Sequence, residues 1–129
     1  MSLLKRSFGK VAWVPNGTGK ANSSEFTLKM ARNGKAITMV FPEMINAKAG
    51  TTCTAITLSK SLPTWARPTA KVLAYIIVRD AGTYATTPGV LEISTAGVVK
   101  IYPTNALGSW ADSASYNTGM KEAHVTYMI

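Results

Sequence analysis

The sequence predicts an all-β fold, an antiparallel β-sandwich, and three observations predict it. Apolar and polar residues alternate with the period of two that a half-buried strand requires, turn residues recur at short intervals, and no segment carries helical spacing. The prolines agree: Pro15, Pro42, Pro63, Pro68, Pro88 and Pro103 all fall at the ends of the alternating segments or between them, where a missing N–H costs no ladder bond.

Phe8 to Val14 reads as a strand ending at Pro15, followed by a Gly/Ser/Asn-rich loop from Asn16 to Ser24. Glu25 to Met30 alternates, Arg32-Asn33-Gly34-Lys35 supplies the Asn-Gly signal of a tight hairpin, and Ile37, Met39 and Phe41 resume the period. With Asn33-Gly34 as a two-residue loop, Met30 faces Ile37, Leu28 faces Met39 and Phe26 faces Phe41, which puts all six apolar residues on one face. Thr51 to Leu58 alternates weakly. Val72 to Val78 is almost continuously apolar, as expected of a strand covered on both faces. Val90 to Ser94 and Val98 to Tyr102 flank Thr95-Ala96-Gly97, a short connection whose glycine can take the left-handed position. His124 to Ile129 is a last strand. Seven or eight strands in one domain, residues 1–129, are therefore expected, with residues 1–24 forming a strand and a flexible loop that packs peripherally or serves as an anchor.

A chain of 129 residues that is 47% hydrophobic is large enough to bury roughly two-thirds of its unfolded surface. One cysteine, Cys53, and one histidine, His124, exclude a disulfide scaffold and a structural zinc finger. No cofactor or metal is expected. No apolar run approaches the roughly 20 residues that span a bilayer, so membrane insertion is not expected either.

The net charge of +8 invites a nucleic-acid reading, but its distribution argues otherwise. Residues 1–71 carry eleven Lys/Arg against Glu25 and Glu43, a net +9, while residues 72–129 carry three basic against four acidic residues, a net −1. The excess arrives as single lysines with only Lys5-Arg6 adjacent, whereas nucleic-acid-wrapping tails concentrate their charge in blocks. Nucleic acid is not the expected partner. Catalysis is not expected: the lone histidine lies in a strand, and the six acids sit in turns or on polar strand faces. Asn16-Gly17-Thr18-Gly19-Lys20 lacks the spacing of a phosphate-binding loop.

One stretch carries more than pattern. Leu62-Pro-Thr-Trp-Ala-Arg-Pro68 is followed by the apolar strand, then by Gly89-Val-Leu-Glu-Ile93 and Thr95-Ala-Gly-Val-Val-Lys-Ile-Tyr102, and the chain closes on Val125-Thr-Tyr-Met-Ile129. With the upstream hairpin at Arg32 to Val40, this resembles the jelly-roll head domains of phage and other viral fibres and spikes, which share the fold of the TNF and C1q families. The resemblance covers roughly residues 25–129, and its motifs are structural turns.

It implies a homotrimer on the virion surface, joined to a shaft or capsid protein, whose distal loops meet a host-cell receptor, often a saccharide. Val125, Tyr127 and Ile129 share one face of the last strand and His124, Thr126 and Met128 the other. One face is expected to line the three-fold axis, with Val125, Tyr127 and Ile129 assigned to the interface. The heptads or β-repeats of a fibre shaft are missing, so the chain is expected to be either a head cut from a longer fibre or a stand-alone spike or decoration protein, with Lys5-Arg6 anchoring it.

Saccharide recognition pairs an aromatic ring that stacks on the sugar with polar groups that bond its rim. Leu107 to Asn117 concentrates those types: Trp110 and Tyr116 as platforms, Asp112 and Asn117 as bonding partners, with Tyr84 in a second polar loop. The alternative is that Trp110 plugs one end of the sandwich. Two other functions compete with attachment: a capsid, decoration or nucleic-acid-binding structural protein, and a cellular lectin-like carbohydrate-binding module.

Overall fold

The computed structural model describes residues 3–129, with side chains from Phe8 onward. Every pairing between its strands is antiparallel. One four-stranded sheet runs in the order β1 (Leu3–Val11), β3 (Phe26–Asn33), β4 (Ala36–Phe41), β13 (Ala123–Met128). A five-stranded sheet runs β2 (Trp13–Pro15), β6 (Ile56–Leu58), β11 (Val99–Tyr102), β10 (Gly89–Ile93), β7 (Val72–Ile76). A small third sheet runs β5 (Met44–Ala47), β12 (Thr118–Met120), β8 (Val78–Asp80), β9 (Thr83–Tyr84). Among the described residues the only helical element is a 3-10 turn at Thr64–Ala66.

The inward residues of the two larger sheets form one core, as the alternation demands. Leu28, Met30, Ile37, Met39, Phe41, Val125 and Tyr127 come from one sheet and Trp13, Ile56, Leu91, Ile93, Val99 and Ile101 from the other. Trp13 is fully buried between the layers, its ring 5.7 Å from Phe41 and 6.1 Å from Phe26. This is the sandwich the sequence predicts.

The turn of the first hairpin sits one residue along from its expected place. Asn33 pairs with Ala36, Arg32 with Ile37 and Met30 with Met39, so Gly34-Lys35 is the loop rather than Asn33-Gly34. Gly34, with φ of 64°, is the one residue of this turn in the left-handed region, and a type II′ turn wants glycine at its first central position. The new register differs from the expected one by two partner positions, an even number, so every side chain keeps its face. The second hairpin forms as predicted: Val90 pairs with Tyr102 and Ile93 with Val99, and Gly97 takes φ of 82°.

Two predicted strands each divide at a corner. Phe8 to Val14 splits at Ala12 between β1 and β2, which belong to different sheets, and the Ala12 N–H is bonded by Ser59 Oγ at 2.9 Å. Val72 to Val78 splits at Ile77 between β7 and β8, again in different sheets. The expectation that this run is covered on both faces is corrected. β7 is the edge of its sheet, and Leu73, Tyr75 and Ile77 are 59, 73 and 55% exposed. An uninterrupted apolar run has the same composition whether or not anything covers its outer face.

The three stretches that carry the resemblance meet in space. Leu62 N–H donates to Gly97 O at 2.8 Å, Arg67 Nε donates to Leu62 O at 2.9 Å, and Tyr127 OH donates to Ala66 O at 2.6 Å. The Leu-Pro…Arg-Pro segment is thus a buried clasp between the second hairpin and the last strand. Lys5-Arg6 lies in β1 by its backbone, with its side chains outside the described residues.

Candidate functional site

Three loops meet beside the small sheet, one each from residues 16–24, 48–52 and 111–117. Isolated bridges tie them: Thr18 to Thr51, Ala21 to Lys48, and Gly50 to Ser113. The exchanged bonds are short, with Thr18 N–H to Thr51 O at 2.7 Å and Gly50 N–H to Ser113 O at 2.9 Å. Glycine makes this close approach feasible. A Cβ at Gly17 would collide with Ala49 O, and Gly50 has φ of 70°. Asn16 fixes the base of its loop, its Oδ1 accepting from Thr54 N–H at 2.8 Å and Ala55 N–H at 3.2 Å.

Between the loops lies an open cleft of about 390 Å³, lined by Thr18, Lys48, Thr51, Asp112 and Ser113 together with glycine and alanine backbone. That volume falls in the range of small-molecule sites, though the cleft is less enclosed than most. Of the residues expected to bind, Asp112 lines it, and its Oδ1 accepts from Thr52 N–H at 3.4 Å. Tyr116 flanks it: its ring is 62% exposed, with Lys48 Nζ 5.4 Å from the ring centroid. Asn117 lies behind rather than in it. Its Oδ1 accepts from Ser113 Oγ at 2.7 Å and its backbone O from Gly82 N–H at 3.0 Å, so it positions Ser113.

Trp110 is not a platform. It is 3% exposed, its Nε1 donates to Ile101 O at 3.3 Å, and its backbone N–H donates to Cys53 O at 2.9 Å. It plugs the end of the sandwich under the cleft. Cys53 is buried beside it, and burial pushes its thiol above the usual range despite hydrogen bonds at Asn16, Ala55 and Gly17 that favour the thiolate. Asp80 ties the neighbouring loop down by accepting from Ala111 N–H at 3.1 Å, and desolvation raises its carboxyl above the usual range although that bond favours the charged form.

Tyr84 stands elsewhere on the small sheet. Its OH donates to Glu43 Oε2 at 3.3 Å, and its ring takes Arg79 and Lys121 at 5.4 and 5.1 Å from the centroid. Val125 and Tyr127, assigned to an interface, are 4 and 5% exposed and point into the chain's own core, which leaves them no surface to offer a neighbour. Ile129 is partly buried against the same core, its N–H donating to Lys35 O at 2.8 Å. The open face of β13 is that of His124, Thr126 and Met128.

Lys48, Thr51 and Thr18 complete the cleft and were not legible as site residues, because only long-range bridges bring them to Asp112. One cation, one carboxylate, three hydroxyls and a flanking ring are the groups that grip a polyhydroxylated ring. Among the described residues no three of His, Cys, Asp and Glu lie together as a metal would need. No family model matches the chain, and no curated protein matches it.

Proposed function

We propose that the chain is a non-enzymatic recognition head that binds a saccharide in the Lys48–Asp112 cleft, and that it serves as the trimeric jelly-roll head of a phage-type viral fibre or spike at the virion surface. The observation that carries the binding reading is the exposed Tyr116 ring beside a cleft whose loops are locked by reciprocal backbone bonds. A preformed cleft with an adjacent aromatic face needs little ordering when ligand arrives. Asp112 is the one carboxylate lining the cleft, whereas glycoside cleavage uses a flanking pair, which favours binding over hydrolysis.

The viral assignment draws on the turn motifs, which form one clasp in the fold. The trimer draws on the outward stripe of Leu73, Tyr75 and Ile77, since contiguous exposed apolar surface marks contact sites. The test is a glycan array followed by titration calorimetry on Tyr116→Ala. A neutral oligosaccharide should bind the native chain and lose at least about tenfold in affinity with the variant, in line with the loss of one aromatic platform. Equal binding by the two proteins would move the site away from this cleft. Sedimentation equilibrium should give three times the chain mass, and a monomer at micromolar concentration would remove the trimer.

A further inference from the structure

We propose that Arg79, Tyr84 and Lys121 form a second site, which takes the carboxylate or sulfate group of an acidic saccharide. Arg79 pairs with Tyr84 across β8 and β9, and Lys121 directly follows β12, the strand on the other side of β8. Both cations lie over one ring, which draws two like charges together on a small patch. Among the described residues neither meets a carboxylate at ion-pair distance, the one such pair being Lys71 with Glu92. Arg79 Nε is buried with no hydrogen-bond partner, so the protein supplies the guanidinium with no acceptor of its own. Two cations held against one ring and left unneutralised favour an anion at that ring, and a guanidinium fork matches carboxylate and sulfate oxygens in pairs.

The surroundings select the rest of the ligand. Glu43 accepts from the Tyr84 hydroxyl at the edge of the site. A phosphodiester chain, charged at every unit, would meet that carboxylate with repulsion. A sugar chain with an acid group on only every second unit instead presents hydroxyls that donate to it between its charges. The ligand class rests on the saccharide reading above, but the site shares no residue with the Tyr116 cleft.

The experiment titrates the native chain, Arg79→Gln, Lys121→Gln and Tyr116→Ala at low salt with a hyaluronan hexasaccharide (carboxylate only), a heparin hexasaccharide (sulfated as well), cellohexaose (neutral) and single-stranded DNA. The acidic sugars should bind more tightly than cellohexaose, and each cation variant should lose about tenfold or more for them, the effect of one charge-assisted hydrogen bond, with cellohexaose unaffected. Lys121→Gln removes a surface charge, so the test survives if Arg79→Gln misfolds. Hyaluronan binding marks the carboxylate as sufficient, and binding of heparin alone marks the sulfate. Acidic sugars that bind no better than cellohexaose, or bind both cation variants like the native chain, overturn the site while leaving the cleft reading intact. Cellohexaose binding nowhere, with acidic binding still lost in the cation variants, overturns the cleft and supports this site. DNA binding more tightly than any sugar through the same two cations overturns the ligand class.

Discussion

Trp110→Ala should cost stability first and ligand affinity only in consequence. The indole is 3% exposed, packs in the same core as Cys53 and Ile101, and satisfies Ile101 O through Nε1 at 3.3 Å. Truncating a buried tryptophan to alanine costs about 3–5 kcal/mol. A domain of this size has about 5–15 kcal/mol in total, so the variant folds but sits close to its limit. At roughly 4 °C per kcal/mol for a chain of this length, the melting temperature should fall by at least about 12 °C. Trp110→Phe drops the hydrogen bond and part of the buried ring, so its loss should fall between about 1 kcal/mol and that of the alanine variant. Urea unfolding followed by far-UV circular dichroism measures both. If Trp110→Ala melts within about 4 °C of the native chain yet loses saccharide binding, the ring is a platform and the assignment of Trp110 as a plug is wrong.

Tyr127→Phe should lower stability by about 1 kcal/mol by leaving Ala66 O unpaired, measurable by the same denaturation. In a spectrophotometric titration of the five tyrosines, burial raises Tyr127 most and Tyr102 less, so Tyr127 should ionise last, well above the ordinary range. Because Asp80's folded-state pKa is raised, its contribution to stability is present at acid pH and is lost as pH rises through that value. Asp80→Asn keeps an acceptor for Ala111 and should stabilise the chain at pH 7 with little gain at pH 3; equal gains at both would refute the desolvation argument. Cys53 should react with a thiol reagent slowly in buffer and rapidly in denaturant, the contrast expected of a buried thiol with a raised pKa.

The inside-outside pattern of β3, β4, β10, β11 and β13 was readable because strand alternation survives any even register change, as the first hairpin illustrates. What alternation cannot report is what lies on the far side. Leu73, Tyr75 and Ile77 look like core in the sequence and are surface in the fold, while Val125 and Tyr127 look like one of two equal faces and are core. The small sheet was invisible because β5, β8, β9 and β12 are two to four residues long and β12 joins β5 and β8 across distant parts of the chain. At the site, Asp112 and Tyr116 were legible by residue type within one loop. Lys48 and Thr51 belong to it only through bridges to residues about 30 and 60 positions away, which no local pattern encodes.

The corners at Ala12 and Ile77 carry a consequence for how the chain comes apart. Each joins two strands end to end with no intervening loop, so a strand leaving one sheet drags the start of a strand in another. Partial opening of a single layer is thereby coupled to opening of its neighbour. Amide exchange of β1 with β2, and of β7 with β8, should then proceed in step, each couple behaving as one cooperative unit even though its members lie in separate layers. The chain, if pulled, would on this design hold until whole layers yield together rather than fraying strand by strand.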